Sequence, residues 1–242
     1  MQKWLRRRPD GGILTVHKPY KVLIVGRDAT AQAANLNITI RGDSIELVPE
    51  FKYLGSMFNS DNTLVAEINH RVASAGFAWH QLKVAKLWSS KYLTLPSKIS
   101  IFRSVVLSIL LYASETWPAL PCHITRLEVF QMNCLRAICG FSLLDRKTNA
   151  SILQLCKLPS ITGEVRFRRL RWLGHLARTS DSRLPKKLLF GQVQGTGTRG
   201  RPMDSWNTIV CKDLASLGVA YSWHRKVEDR TAWRQLFARV RT

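Results

Sequence analysis

Ten lysine and arginine residues fall between Ser160 and Met203, at positions 166, 168, 169, 171, 178, 183, 186, 187, 199 and 201, against only Glu164 and Asp181. Cations this dense, with so few acidic neighbours, repel one another unless an anion neutralises them. The anion that such a row fits is a phosphate backbone. Phe167 and Trp172 are interleaved with the charges. Other constellations fall short of chemistry. Two-metal nucleotidyl transfer needs clustered carboxylates that hold cations about 4 Å apart, and the one adjacent acidic pair, Glu228-Asp229, stands beside Arg230 at what reads as a solvated helix start. No His-Glu-x-x-His, Gly-x-Ser-x-Gly or phosphate-loop Gly-Lys-Ser/Thr occurs. Cys122-His123, Cys134 and Cys139 form no Cys-x-x-Cys pair, and the last two are five apart on an apolar helix, so they read as buried structural thiols instead of zinc ligands. Gly195 to Gly200 satisfies Gly-x-Gly-x-x-Gly, but no βαβ pattern surrounds it and Leu217-Gly218-Val219 stands where a ribose-binding acid belongs. That segment reads as a loop, with phosphate contact through Arg199 and Arg201 as its functional alternative.

The elements that must position the cations are mostly helical. Placed at about 100° per residue, residues 164–178 put Arg168, Arg171, His175 and Arg178 on one polar face with Glu164. Arg166 and Arg169 fall inside the apolar arc of Val165, Leu170, Trp172, Leu173, Leu176 and Ala177. An unpaired charge there is costly to bury, so each needs a carboxylate from another helix or a route to the surface. Further helices are expected from Pro202 to Leu217, ending at Gly218, and from Asp229 to Val240. Upstream, Leu64, Val65, Ile68, Val72, Ala75, Trp79 and Leu82 share one stripe, with Glu67, His70, Arg71, Ser74 and Gln81 pointing elsewhere. A helix after Pro96-Ser97 is apolar nearly all round, which marks a central bundle member, and a third from about His123 stops at Gly140, a suitable cap. The first sixty residues read as strands: Tyr20 to Val25, then Leu36 to Ile40 and Ile45 to Val48 as a hairpin about the turn Arg41 to Ser44, and Phe51 to Ser56 closed by a glycine.

Over 242 residues the formal charge is +21, yet 45 % of the residues are hydrophobic, which excludes a disordered basic tail and leaves a folded cationic protein. The longest apolar run, Val105 to Ala113, is far shorter than the roughly 18 residues of a membrane span. The basic N-terminus leads into Pro9-Asp10-Gly11-Gly12 with no apolar stretch of a secretory signal, and five cysteines at irregular spacing point to reduced thiols in a nuclear or cytoplasmic protein.

Phe51-Lys52-Tyr53-Leu54-Gly55-Ser56, then Glu67 to Val72 and Leu110 to Trp117, resemble the C-terminal part of the reverse transcriptase of non-LTR (LINE-type) retrotransposons. Cys134 to Gly140, Arg168-Arg169-Leu170-Arg171-Trp172-Leu173-Gly174-His175, Gly200-Arg201-Pro202 with Trp206, and Asp229 to Arg234 extend the likeness, especially to the RTE-like branch, from about residue 12 to the end. The resemblance implies that Phe51, Tyr53, Leu54 and Gly55 belong to the primer-grip hairpin that closes the palm, and that residues 61–140 are the thumb. Lys18 and Lys21 stand where the palm has its Asn…Lys-Thr-Lys stretch, with His17 and Tyr20 as departures. The family's Asp-Asp motif is absent, so Mg²⁺ belongs to a part of the palm this sequence does not supply and no cofactor is expected here.

These readings give an α+β, mostly α class: the end of a palm at 1–60, a helical thumb at 61–140 and a basic helical C-terminal region at 141–242. The expected function is that of a reverse-transcriptase fragment or remnant, inactive alone, binding RNA, RNA–DNA hybrid or DNA and no membrane. Arg168, Arg171, His175, Arg178, Lys186, Lys187, Arg199 and Arg201 are its candidate contacts. A host-retained nucleic-acid-binding protein unrelated to reverse transcription, or a non-functional retroelement-derived frame, are the competing readings.

Overall fold

The computed structural model describes residues 4–7, 13–16, 21–24, 39–40, 43–61, 63–190, 205–238 and 240. It is mostly helical, with short strands confined to the N-terminal part. The chain divides into two compact units, Met1–Glu67 and Ile68–Thr242.

Among the described residues the first unit holds four two-stranded ladders. β1 (Trp4–Arg7) pairs antiparallel with β2 (Ile13–Val16). β3 (Lys21–Val22) pairs in parallel with β6 (Glu46–Leu47), and Lys21 Nζ meets Glu46 Oε2 at 3.3 Å across it. Between them, β4 (Thr39–Ile40) pairs with β5 (Asp43–Ser44), which falls inside the segment read as a turn, so the expected pairing with Ile45–Val48 does not form. The segment that follows therefore joins β3 instead of extending the hairpin. β7 (Glu50–Tyr53) and β8 (Ser56–Asn59) make a second hairpin with Tyr53 opposite Ser56. Its two turn residues, Leu54 and Gly55, have φ of 48° and 92°, the left-handed pair whose twist matches right-handed strands. In such a hairpin the Met57 N–H points away from β7, and it donates to Glu67 Oε2 at 2.6 Å.

In the second unit the periodic segments become helices close to where the sequence placed them. α1 (Val65–Val84) buries Ile68 and Ala75, and Trp79 stacks on Trp88 with ring centroids 4.6 Å apart. Glu67 and Arg71, expected on the face away from the core, are also buried, and the Arg71 guanidinium lies 4.5 Å from the Tyr112 ring centre. The helix is thus covered on two sides, because polar groups from other segments meet its charged face. α2 (Leu95–Ile101) is capped by Thr94, whose Oγ1 accepts from Ser97 N, and runs through a π-helical stretch (Phe102–Leu107) into α3 (Ser108–Leu110). Phe102, Val106, Leu107 and Leu110 make this the buried central element that its all-round apolarity implied. After a 3-10 turn (Ser114–Thr116), α4 (Pro121–Cys139) ends on Gly140, whose φ of 73° is the left-handed cap. His123 Nδ1 accepts the Leu120 N–H at the start of α4, and burial lowers the His123 pKa.

α5 (Asn149–Cys156), capped by Thr148, leads to α6 (Ile161–Arg178), capped by Ser160 through Gly163 N. α6 starts three residues before the expected 164, because Ser160 supplies the cap. α7 (Leu184–Phe190) follows, then α8 (Trp206–Ser216), α9 (Trp223–Glu228) and α10 (Arg230–Ala238). Ser205 caps α8 through Thr208 N, and the expected start at Pro202 lies outside the described residues. α6 is the hub: it packs against the 114–116 turn, α4, α7, α8, α9 and α10. Leu170 and Leu173 of α6 share one core with Val210, Leu214, Trp223, Val227, Trp233 and Phe237. Of the cysteines, Cys134 is buried, its thiol pushed up to about 12 by burial, whereas Cys122 is exposed and so is no core thiol.

Candidate nucleic-acid interface

The apolar arc of α6 carries two arginines, and α8 brings the carboxylate they require. Arg166 Nε meets Asp213 Oδ1 and Arg169 Nη1 meets Asp213 Oδ2, each at 3.0 Å, and Arg166 also donates to Ser216 Oγ. Burial raises the Asp213 carboxyl while both guanidinium groups pull it back, and burial lowers Arg169 against the opposing pull of Asp213. These two cations lock α6 to α8.

The polar face of α6 is more occupied than helix angle alone indicated. Arg168 is half-buried, its Nε bonded to Glu164 Oε1 at 3.0 Å and its Nη1 donating to Leu111 O at 2.7 Å. Arg178 is also half-buried: Nη1 donates to Val227 O at 2.8 Å, and its buried Nε has no partner among the described residues. Burial, and after it the like charge of Arg230, lowers the Arg178 pKa. Arg168 and Arg178 are therefore corrected from freely exposed residues to anchored ones, since carbonyls distant in sequence reach them. Arg171 and His175 are exposed as expected.

All four nevertheless line one cleft of about 530 Å³ between α6 and α10. α10 contributes Arg230 and Arg234, four apart and so on one face. Five arginines converge there with a single acid, Glu115. Arg171, Arg230 and Arg234 form no ion pair among the described residues. The floor is aromatic, with Phe167, Trp172, Trp233 and Phe237, and the Trp172 ring stacks on His175 with centroids 5.1 Å apart. Sequence reasoning noted Trp172 only as interleaved with the charges, and it missed Arg230 and Arg234 as site residues. Their signal was the spacing of four between Arg230 and Arg234 in a segment already read as a helix.

α6 and α10 come this close because Gly174 has no side chain. A Cβ there would lie 2.2 Å from Trp233 Nε1, which donates to Leu170 O at 3.0 Å. Asp229 Oδ1 accepts from Thr231 N and Ala232 N, so the acidic pair Glu228-Asp229 gives α10 its cap. Lys186 is not a free contact: its Nζ donates to Thr179 O and pairs with Asp181 Oδ1, both at 2.8 Å, which also lowers the Asp181 pKa. Lys187 is exposed, and Arg199 and Arg201, with the glycine-rich segment 195–200, lie outside the described residues.

Phe51, Tyr53, Leu54 and Gly55 sit on the β7–β8 hairpin. Phe51, Tyr53 and Phe58 alternate onto one face, and Tyr53 and Leu54 are 58 % and 76 % exposed. Among the described residues no three His, Cys, Asp or Glu side chains converge, and no helix is long and apolar enough to cross a membrane.

The chain is 27 % identical over 204 residues to a protein of Caenorhabditis elegans described as an uncharacterized transposon-derived protein. The match covers 81 % of this chain and 72 % of that one and is consistent with a transposon origin. No family model matches the chain, and no solved structure matches it.

Proposed function

We propose that this chain is a remnant of the C-terminal region of a non-LTR, RTE-like reverse transcriptase and binds RNA or RNA–DNA hybrid through the α6–α10 cleft. The observation that carries this reading is the convergence of five arginines on a cleft with one acid, Glu115. Glu164 pairs with Arg168, but Arg171, Arg230 and Arg234 form no ion pair among the described residues, and phosphate oxygens take up such an excess of positive potential with paired, charge-assisted hydrogen bonds. The likeness to a transposon-derived protein supports the same origin. The β7–β8 hairpin, with Tyr53 and Leu54 held outward at a tight turn, supports the primer-grip part of this reading.

The test is fluorescence anisotropy on labelled RNA and on RNA–DNA hybrid at several salt concentrations. Replacing Arg171 and Arg234 by Gln should weaken both complexes and flatten the salt dependence, by up to about 0.9 in log–log slope per lost phosphate contact on duplex. Neither residue forms an ion pair among the described residues, so thermal stability should hold. An unchanged affinity and slope in the double variant would show that the cleft is merely solvated.

A further inference from the structure

We propose that the α6–α10 cleft takes one unpaired nucleotide, its base stacked on the Trp172–His175 pair and its phosphate held by the surrounding arginines. This rests on the reading of the cleft as a nucleic-acid site and narrows it to single-stranded segments. Trp172 and His175 lie three apart on α6 with their ring planes inclined by only 26°, so the two rings are stacked face to face. His175 is exposed and Trp172 half-buried, and both line the cleft, so a third planar ring can continue the stack.

Charge alone would be satisfied by any polyanion, but an aromatic layer set among the charges selects among them. In a duplex each base is already covered on both faces by its neighbours, and what the duplex offers outward is phosphate and groove edge. An unpaired nucleotide offers a free π-face together with its phosphate, which is the pairing this cleft displays. A lipid headgroup or a free phosphate offers no flat aromatic ring. The cleft volume of about 530 Å³ lies within the roughly 300–1,000 Å³ of sites for small ligands. That is room for one nucleotide, with the rest of the strand left to follow the exposed Arg171 and Arg234.

The experiment compares the intact chain's affinity for a labelled oligodeoxythymidylate and for an abasic oligomer of equal length and equal phosphate number. Stacking contributes to the first and not to the second, and we expect the base-bearing strand to bind on the order of ten-fold tighter. Trp172→Leu and, separately, His175→Gln should bring the thymidylate down towards the abasic affinity and leave the abasic affinity unchanged. His175 is on the surface, so its variant keeps the test open if Trp172→Leu lowers the melting temperature. Equal binding of the two oligomers by the unaltered chain would overturn the inference, as would an equal loss for both oligomers in the His175 variant. The broader reading fails by a different result, namely binding of both oligomers that is indifferent to Arg171→Gln with Arg234→Gln.

Discussion

Asp213 holds two guanidinium groups at once, and the consequences differ for each. Arg169 is almost fully enclosed, its side chain 4 % exposed and its Nε without a partner among the described residues, so Asp213 is the charge that offsets its own. Asp213→Asn keeps an acceptor but removes that charge. The expected loss is about 3–5 kcal/mol of folding stability, the range for breaking a buried ion pair from one side, and urea denaturation measures it. A loss below about 1 kcal/mol would mean that water reaches Arg169 once the carboxylate is gone. The need for such a partner was legible in the sequence, because helical spacing put Arg166 and Arg169 inside an apolar arc. The identity of the partner was not, since Asp213 lies 44 residues further along. Arg168 and Arg178 show the converse. Angle put them on the polar face, yet no local pattern announces that Leu111 O and Val227 O, 57 and 49 residues distant, accept from them.

At the scale of the element, the width of the cleft is set by how closely α10 lies on α6. The approach depends on a glycine in mid-helix, where glycine costs about 1 kcal/mol relative to alanine. Gly174→Ala improves helix propensity and still should destabilise the protein, because the new Cβ would lie 2.2 Å from Trp233 Nε1 and must push the indole off Leu170 O. Overpacking of this kind costs about 1–3 kcal/mol, a fall in melting temperature of roughly 2–4 °C per kcal/mol at this chain length. Combining Gly174→Ala with Trp233→Leu should cost less than the two changes summed, since the second removes the ring the first strikes. A Gly174→Ala chain that melts with the parent would show that α10 does not pack so close. The helices around this contact were legible wherever apolar spacing ran for three turns or more. The short α5 and α9 were not, because eight and six residues give the 3.6-residue period too few repeats to show. Strand pairing was less legible still: β6 was read as the return of a hairpin, and no local signal said it would pair in parallel with β3.

The whole molecule combines a formal charge of +21 with few acidic groups, and several of those among the described residues are committed to structure. Asp213 clamps two arginines, Glu164 bonds Arg168, and Asp229 of the one adjacent acidic pair caps α10. Two-metal transfer needs carboxylates free to hold cations about 4 Å apart, so the chain by itself, given template, primer, deoxynucleotides and Mg²⁺, is expected to give no extension above a blank. Metal-dependent extension would refute the remnant reading. Its positive counterpart is a graft. If the proposed origin holds, residues 12–242 set into a non-LTR reverse transcriptase in place of its C-terminal region should let a palm that carries its own metal-binding pair extend primers again. If β7–β8 grips the primer there, Tyr53→Ala with Leu54→Ala should lower extension in the graft. At 58 % and 76 % exposure, neither side chain is needed to hold the hairpin together. The turn is a separate matter, because Leu54 has a φ of 48°, which alanine meets with the same strain as leucine; the double change therefore leaves backbone geometry where it was and removes only side-chain contact. Extension that is unchanged in the double variant would reduce the hairpin to packing and leave the α6–α10 cleft as the part of this chain that meets nucleic acid.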